Sequence, residues 1–329
     1  MENKLLANVA VIGCGLWGKN LVRNFNNLQV LKAICELDNQ TRRVISKQYQ
    51  ELQTYKTLDE VLNDSEIDAV AIATPVCSHY KIAMKCLNAN KHVYVEKPIA
   101  TSSEEAFELN EVANSKELVL MVGHLLLYHP AVNRLKGLIS EGYLGKICHI
   151  QSDRLNYNPL INDISVLWDL APHDISMMSF VLDIDPVAVK SAIGYTTTPD
   201  RVIDVVHIDL LFPNGISAHI HNSWIHPNKQ VKLLVRGTEM TAILDDTETS
   251  HKLHIYSNVA NAYDTRVVEY PEYIDIEPLK LECQHFINCI NKQIKPRSDG
   301  INGYNVVKIL EIAEQKMLTI PSTLKITTN

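Results

Sequence analysis

The chain has 329 residues, of which 46% are hydrophobic and 21% are charged, and its formal net charge at pH 7 is -7. This composition is that of a globular protein with room for two cores, and the acidic balance excludes the basic surface that nucleic-acid binding requires. Because no stretch approaches the ~20 apolar residues of a membrane span and the N-terminus lacks a signal-peptide pattern, we expect a cytoplasmic protein with no membrane or nucleic-acid partner.

The chain contains seven cysteines at scattered positions, without the paired spacing of a zinc site. Because their number is odd and a cytoplasmic location is expected, free thiols are the simplest interpretation. The sequence therefore predicts neither a disulfide framework nor a metal centre.

The first third of the sequence alternates short apolar runs with helical patterns. The predicted strands are residues 8–12, 31–35, 69–73, 92–95 and 118–122, and the predicted helices are residues 18–26, 58–63, 79–88 and 104–115. Such alternation is typical of a parallel sheet that helices cover on both faces. We therefore predict an α/β domain of Rossmann type over residues 1–122.

From Gly123 onward, strand-like runs dominate. The predicted strands are residues 147–156, 187–195, 202–211, 217–224, 231–236, 241–244 and 252–256, and the predicted helices are residues 130–141, 172–182, 278–291 and 303–318. The pattern predicts an α+β domain over residues 123–329 with a large, open, mainly antiparallel sheet. An uncovered sheet face would expose an apolar patch, so we expect a homodimer or homotetramer formed through this sheet.

A glycine-rich turn joins the first predicted strand to the first predicted helix. Its sequence, Gly13-Cys14-Gly15-Leu16-Trp17-Gly18, fits the G-x-G-x-x-G pattern of dinucleotide-binding domains. Gly13 would allow the tight turn, Gly15 the approach of a pyrophosphate, and Gly18 close packing of helix on strand. The helix N-terminus offers partial positive charge and free N–H groups to such a ligand. A glycine turn without a ligand is the alternative.

Glu36, at the end of the second predicted strand, occupies the position of the acid that binds a dinucleotide ribose. Its charge should repel a 2′-phosphate, which favours NAD over NADP, although Arg42 and Arg43 follow closely and weaken that preference. Leu16 and Trp17 belong to the same cofactor turn, and Trp17 either covers the cofactor or packs against the protein.

Two further groups of polar residues suit hydride chemistry. Glu96-Lys97-Pro98 follows the predicted strand 92–95, and Asp169 precedes His173 by four residues. A histidine titrates near neutral pH and can take the hydroxyl proton of a carbinol, while a lysine can stabilise the developing alkoxide. Because proline is favoured in the first turn of a helix, Pro172 places Asp169 just before the helix and His173 in its first turn.

Each of these residues also has a structural interpretation. Lys97 could form a surface ion pair with Glu96, Asp169 could cap the helix, and His173 could be a buried structural histidine. Glu96 itself suits a supporting role better than a catalytic one.

The turn, the strand-terminal Glu-Lys-Pro and the Asp-x-x-x-His, in this order along nearly the whole chain, together resemble the Gfo/Idh/MocA oxidoreductases. The resemblance implies a Rossmann domain, a second domain with an open sheet, and oxidation or reduction of sugar or cyclitol hydroxyl carbons with NAD(P). It implies that Lys97 contacts the reacting oxygen and lies near the nicotinamide of the cofactor. It also implies that Asp169 holds a substrate hydroxyl and that His173 is the general acid/base. The resemblance also implies that Thr74, Pro75 and His79 line the cofactor and that Glu96 lies beside it. It further implies a cis peptide bond before Pro98.

The substrate class is indicated by departures from the common family pattern. Bulky Leu167 and Trp168 precede Asp169, and residues 123–130 contain no arginine. That stretch and residues 152–156 look more like the branch that acts on nucleotide-linked sugars. We therefore take Tyr128, Arg154 and Asn156 as substrate contacts; strand parity places the last two on one face, and an exposed strand arginine is the alternative for Arg154.

The leading hypothesis is an NAD-dependent dehydrogenase, or in reverse a ketoreductase, of a nucleotide-linked sugar, in amino-sugar or surface-polysaccharide biosynthesis. A free cyclitol or monosaccharide dehydrogenase is the second enzyme hypothesis. A non-catalytic NAD-binding sensor is the alternative from another class.

Overall fold

The computed structural model describes residues 7–49, 51–158, 164–197, 202–258 and 267–318, which fall into two compact units. In the first unit, the residues up to His129 associate with Ile276–Val307. The second unit contains Pro130–Asp275 and the residues from Lys308 onward. The sequence analysis placed one domain boundary after residue 122, whereas in the structure the later segment Ile276–Val307 also belongs to the first unit.

The first unit contains a six-stranded sheet in the order β3-β2-β1-β4-β5-β6, with every pairing parallel. Its strands are β1 (Val9–Ile12), β2 (Leu31–Cys35), β3 (Gln53–Tyr55), β4 (Ala69–Ile72), β5 (His92–Glu96) and β6 (Leu120–Gly123). The central strands β1 and β4 are wholly buried and wholly apolar, as expected for strands that are covered on both faces. The predicted Rossmann architecture is confirmed.

The α-helices of the described residues include one, α2, that the sequence analysis did not predict. They are α1 (Gly18–Asn27), α2 (Asn39–Gln48), α3 (Leu58–Asn63), α4 (His79–Asn88), α5 (Ser103–Ser115), α6 (Pro130–Ser140), α7 (Val166–Leu182), α8 (Pro278–Lys292) and α9 (Gly300–Leu318). The unpredicted helix α2 is mostly polar and buries only Ile45. Its N-terminus is fixed by Asp38, whose side chain accepts a hydrogen bond from the Thr41 N–H at 2.7 Å.

The second unit contains an eight-stranded sheet in the order β14-β13-β12-β11-β7-β10-β9-β8. Its strands are β7 (Ile147–Tyr157), β8 (Ala188–Tyr195), β9 (Val205–Leu211), β10 (Ser217–Ser223), β11 (Ile225–Gly237), β12 (Met240–Asp245), β13 (Leu253–Ser257) and β14 (Val267–Glu269). Only the pair β7–β10 is parallel among the pairings of these described strands, so the mainly antiparallel sheet is confirmed.

Helix α7 begins at Val166, so the predicted start at residue 172 is wrong. Asp169 therefore lies inside the first turn rather than before the helix, and Pro172 lies within the helix. A proline inside a helix costs about 3 kcal/mol. That cost is offset by the burial of Val166, Leu167 and Leu170, since burying a side chain of this size contributes about 1.5–3 kcal/mol.

The sheet face opposite α7 is more polar than the apolar patch that the sequence led us to expect. His207 stacks on His221 with ring centroids 4.3 Å apart, and on His219 at 5.6 Å. His219 Nδ1 lies 2.8 Å from Asp209 Oδ1, and His221 Nδ1 lies 3.5 Å from Asp153 Oδ1. Self-association through this sheet stays a prediction.

The histidine stack should make the protein less stable at acid pH. Burial lowers the pKa of His207 below its ordinary 6.5, and the charges of His221 and His219 lower it further. As the pH falls below about 6.5, the unfolded chain takes up a proton more readily than the folded one, so the free energy of unfolding decreases until the folded pKa is reached. We expect His207→Gln to flatten this decrease in urea titrations at pH 7 and pH 5, whereas His226→Gln should leave it unchanged. Equal slopes for the protein and His207→Gln would contradict this assignment.

Candidate cofactor and active-site residues

The glycines of the turn after β1 are needed for two different reasons, which are close packing within the fold and open space beside the backbone. Gly13 has φ +84°, and a Cβ there would lie 2.8 Å from the Ala73 carbonyl oxygen. A Cβ at Gly18 would lie 2.0 Å from the carbonyl oxygen of Gly13. A Cβ at Gly15, in contrast, would meet nothing within 4 Å. Room for a ligand explains Gly15, whereas the fold itself explains the other two glycines.

A cavity of about 310 Å³ lies at the carboxyl ends of β1, β2 and β4. Its lining includes Gly13, Gly15, Glu36, Thr74 and Pro75, so the structure brings together five of the predicted cofactor residues. This is the edge at which parallel sheets of this type bind ligands. The open position at Gly15 and the acid in the cavity fit a dinucleotide.

The carboxylate of Glu36 is held in place by backbone donors. Glu36 Oε2 accepts a hydrogen bond from the Cys14 N–H at 2.7 Å, and Oε1 accepts one from the Asp38 N–H at 2.9 Å. Because both bonds fix its orientation, the acid presents a defined negative charge to the cavity.

Lys56 and Leu58 also line this cavity, although the sequence analysis did not single them out. They follow the short strand β3, and recognition of that strand would have placed them at the same sheet edge. The nearby Arg42 guanidinium donates to the carbonyl oxygens of Glu36 and Leu37 and to Asn39 Oδ1. The Arg42 side chain is therefore engaged with the backbone just before α2 and with Asn39, the first residue of that helix.

The other predicted cofactor residues occupy different surroundings. Leu16 is 96% exposed and Trp17 is 38% exposed. His79 is buried, and its two ring nitrogens lie 2.8 Å from the carbonyl oxygens of Pro98 and Thr74. His79 therefore links the ends of β4 and β5, and a direct contact with a cofactor stays a prediction.

Glu96 is the centre of a buried polar cluster at the carboxyl end of β5. The Trp17 indole N–H donates to Glu96 Oε1, which also accepts from the Tyr94 hydroxyl at 3.1 Å. The Lys97 N–H lies 3.4 Å from Glu96 Oε2, and the predicted cis bond between Lys97 and Pro98 is confirmed. Burial raises the pKa of Glu96, while the Trp17 hydrogen bond and the Lys97 charge oppose that rise. The cluster thus joins the glycine turn to the backbone of Lys97.

His124, which the sequence analysis did not select, follows β6 and is buried. Within the described part of the chain, neither ring nitrogen has a hydrogen-bond partner. Burial, together with a smaller effect of the Lys97 charge, lowers the pKa of His124 to about 3, so the imidazole is neutral. A position just after a strand that neighbours β5 was the sequence signal available for it.

Tyr128, a predicted substrate contact, is buried in the first unit. Its hydroxyl lies 3.1 Å from Ser298 Oγ, and the Arg297 guanidinium lies 5.0 Å from the ring centroid. The hydroxyl is therefore engaged within the unit, and its contact with a substrate stays a prediction.

Helix α7 carries both Asp169 and His173. The two residues are half-buried and stand four residues apart, so they lie on the same helix face. Ser165, not Asp169, precedes the first helical residue, which removes the capping alternative for Asp169.

Asp174 orients α7 on the second sheet, and the sequence analysis missed it. Its side chain is fully buried and accepts from Arg154 Nε at 3.0 Å and Nη2 at 2.9 Å. It also accepts from Ser152 Oγ at 2.8 Å and from Asn222 Nδ2 at 2.7 Å. Arg154 is thus paired inside the second unit, and its contact with a substrate stays a prediction. An acid directly after His173, followed by the mainly apolar residues 175–182, was the signal for this network.

Three polar atoms near this network have no hydrogen-bond partner in the ranges that the structure describes. They are Asn156 Oδ1, Asn222 Oδ1 and Trp224 Nε1. Buried donors and acceptors of this kind cost about 1–3 kcal/mol each unless a ligand or water satisfies them. Asn156 therefore stays a predicted substrate contact.

Three further findings concern metal binding, membrane spans and the cysteines. No group of three potential metal ligands is present among the described residues, and no helix in those ranges is both long and apolar enough to cross a membrane. All seven cysteines are free thiols.

Two family models match the chain. Residues 7–124 match the family model of the Gfo/Idh/MocA oxidoreductases described as an NAD-binding Rossmann fold. Residues 132–243 match the model of the C-terminal domain in the same family.

Individual relatives agree with the family match. The chain is 26% identical over 301 residues to UDP-N-acetylglucosamine 3-dehydrogenase from Acidithiobacillus ferrooxidans, which covers 90% of this chain and 93% of that protein. It is 25% identical over 248 residues to an NADP(+)-dependent scyllo-inositol 2-dehydrogenase from Bacillus subtilis, covering 71% and 68%.

Solved structures show the same fold. A structure of the Acidithiobacillus ferrooxidans enzyme matches with a TM-score of 0.81 at 24% identity and covers 94% of this chain and 96% of that one. A levoglucosan dehydrogenase solved with NADH and levoglucosan matches with a TM-score of 0.84 at 22% identity, covering 95% and 97%.

The Asp174 network should be a large source of stability for the second unit. Asp174→Ala leaves the buried Arg154 guanidinium without its carboxylate, and breaking a buried pair in this way costs about 3–5 kcal/mol. Asp183→Asn, at the exposed end of the same helix, removes only the surface pair with Lys136 and should cost less than about 1 kcal/mol. Urea unfolding of both variants measures the difference, and equal losses would show that Asp174 does not anchor the helix.

Proposed function

The chain belongs to the Gfo/Idh/MocA oxidoreductase family, and we propose that it is an NAD-dependent dehydrogenase of a secondary hydroxyl, or of the ketone in reverse, on a nucleotide-linked sugar. Oxidoreduction of CH–OH groups in sugars follows from the family and its dehydrogenase members. The observation that carries the catalytic part of the proposal is the Glu96 cluster, since it connects the backbone of Lys97 to the glycine turn through Trp17.

The shape and charge of the cavity support NAD over NADP. The carboxylate of Glu36 is fixed in the cavity, where it can accept hydrogen bonds from ribose hydroxyls and repel a 2′-phosphate. Arg42, which could otherwise bind such a phosphate, already donates to the carbonyl oxygens of Glu36 and Leu37.

Each proposed catalytic residue has one task. NAD, when bound, supplies the acceptor for the hydride of the carbinol carbon. The Lys97 ammonium stabilises negative charge on the reacting oxygen. His173 takes the hydroxyl proton, or returns it in the reverse direction, and Asp169 accepts a hydrogen bond from a neighbouring hydroxyl.

The proposed substrate class rests on sequence rather than on pocket geometry. The similarity to UDP-N-acetylglucosamine 3-dehydrogenase extends over 90% of this chain, and Leu167 and Trp168 replace small residues that are common in the family. A role in amino-sugar or surface-polysaccharide biosynthesis fits such a substrate, and a cytoplasmic location fits the free cysteines. A free cyclitol is the second candidate, favoured by the similarity to scyllo-inositol 2-dehydrogenase.

The catalytic assignment predicts large and selective losses of activity. With a panel of UDP-linked and free sugars, we expect sugar-dependent NADH formation that Lys97→Ala and His173→Asn each reduce by about 100- to 10,000-fold. Glu111→Gln, on the exposed surface of α5, should retain full activity. Full activity of either catalytic variant would refute the assignment. Tight binding of NAD without turnover of any sugar would instead support the sensor alternative.

The cofactor assignment predicts a preference that depends on charge. We expect a higher kcat/KM with NAD than with NADP, and we expect Glu36→Gln to shrink the ratio by at least about tenfold, since a lost repulsion of ~1.4 kcal/mol has that effect. Glutamine keeps an oxygen that can accept from the Cys14 N–H, so the turn should stay intact. Steady-state kinetics with both cofactors measure the ratio, and a wild-type preference for NADP would contradict the role given to Glu36.

A further inference from the structure

Glu282 is a buried acid to which neither the fold nor the proposed reaction has yet given a role. It lies on α8, its exposure is 0%, and neither of its carboxyl oxygens has a hydrogen-bond partner among the described residues. Four residues later, the Phe286 ring packs edge-on against Tyr94, with centroids 5.8 Å apart, and against Phe25 at 6.3 Å. This aromatic contact holds α8, and with it Glu282, against β5.

The surroundings of Glu282 disfavour an ionised carboxylate. An unpaired charge in an apolar interior is strongly unfavourable, and such a group becomes neutral instead. Burial raises the pKa of Glu282 well above its ordinary value, and the negative charge of Glu96 raises it further, while the Tyr94 hydroxyl opposes this. The other titratable groups whose pKa values depend on the charge state of Glu282 are Tyr128 and the adjacent Cys283.

The hydrogen bonds of Tyr94 show which of the two acids carries the charge. Tyr94 has a single hydroxyl proton and donates it to Glu96 Oε1 at 3.1 Å, the oxygen that also accepts from the Trp17 indole. Glu96 therefore accepts from two donors and lies beside the Lys97 charge, whereas neither oxygen of Glu282 accepts a hydrogen bond within the described residues. The Tyr94 oxygen retains lone pairs that can accept from a protonated carboxyl.

We propose that Glu282 is a positioning residue: it holds a proton at neutral pH and, through Tyr94, keeps the negative charge of this buried pair on Glu96 beside Lys97. The arrangement leaves one proton for two carboxyl groups and places it on Glu282, the acid whose oxygens accept no hydrogen bond among the described residues. An ionised Glu282 would compete for the Tyr94 hydroxyl proton and weaken the bond to Glu96. The consequence for catalysis rests on the proposed function, because a charged Glu96 helps to keep Lys97 protonated.

The location of the proton can be tested without any substrate. Infrared difference spectra at pH 7 and pH 8 between the protein and Glu282→Gln should contain the carbonyl stretch of a protonated, buried carboxylic acid. The difference spectrum for Glu111→Gln, which removes an exposed glutamate, should lack this band. Absence of the band from the Glu282→Gln difference spectrum would overturn the proposal.

A kinetic test separates positioning from simple packing. Glu282→Leu removes the polar group that faces Tyr94, so the pKa of Glu96 should rise and the acid limb of the kcat/KM profile should move up by about one pH unit. Glu282→Gln keeps a neutral donor and acceptor and should restore the wild-type limb, with the KM for NAD unchanged in both variants. Equal limbs in the two variants would overturn the proposal. Turnover of no sugar at all would refute the proposed function instead, and the infrared result would then decide the proton location by itself.

Discussion

The burial of one carboxyl group, that of Glu96, is the constraint on which the first unit depends. A buried carboxyl group can stay ionised only when donors surround it, and here those donors are the Trp17 indole and the Tyr94 hydroxyl. The neighbouring strand must leave room, since a Cβ at Gly123 would lie 2.9 Å from Glu96 Oε2. One side chain thus fixes the distance between the glycine turn, the end of β5 and the start of the segment after β6. The backbone position of Lys97 is a consequence of that arrangement.

A second buried acid has a comparable role in the other unit. Asp174 connects helix α7 to strands β7 and β10 through Arg154, Ser152 and Asn222. Because the backbone of α7 is fixed by this network, the rotation of the helix is fixed too, and the adjacent His173 is placed with it. In both units, therefore, a residue proposed for catalysis stands directly beside a buried carboxyl that determines its position.

Much of the fold could be predicted from local patterns, because short apolar strands and glycine turns are encoded by neighbouring residues. The wholly apolar runs of β1 and β4 and the spacing from Gly13 to Gly18 are of this kind. Helix α2 could not be found this way, since it is polar and buries only Ile45. The start of α7 was misplaced because the penalty of Pro172 is local, whereas the burial that offsets it belongs to the tertiary structure.

The candidate site shows the same division between local and distant information. Glu36, Lys97 and His173 belong to motifs that can be read along the chain. Glu282 and Asp174 belong to none, because their importance arises from side chains that are distant in sequence and meet only after folding.

Transfer of a labelled hydride tests the central claim most directly. Nucleotide-linked and free sugars deuterated at every ring carbon would be incubated with NAD and the protein, and the reduced cofactor would be analysed by mass spectrometry. The account predicts NADH that carries one deuterium and forms only when a nucleotide-linked sugar is present. NADH without label, or labelled NADH from free cyclitols alone, would contradict it.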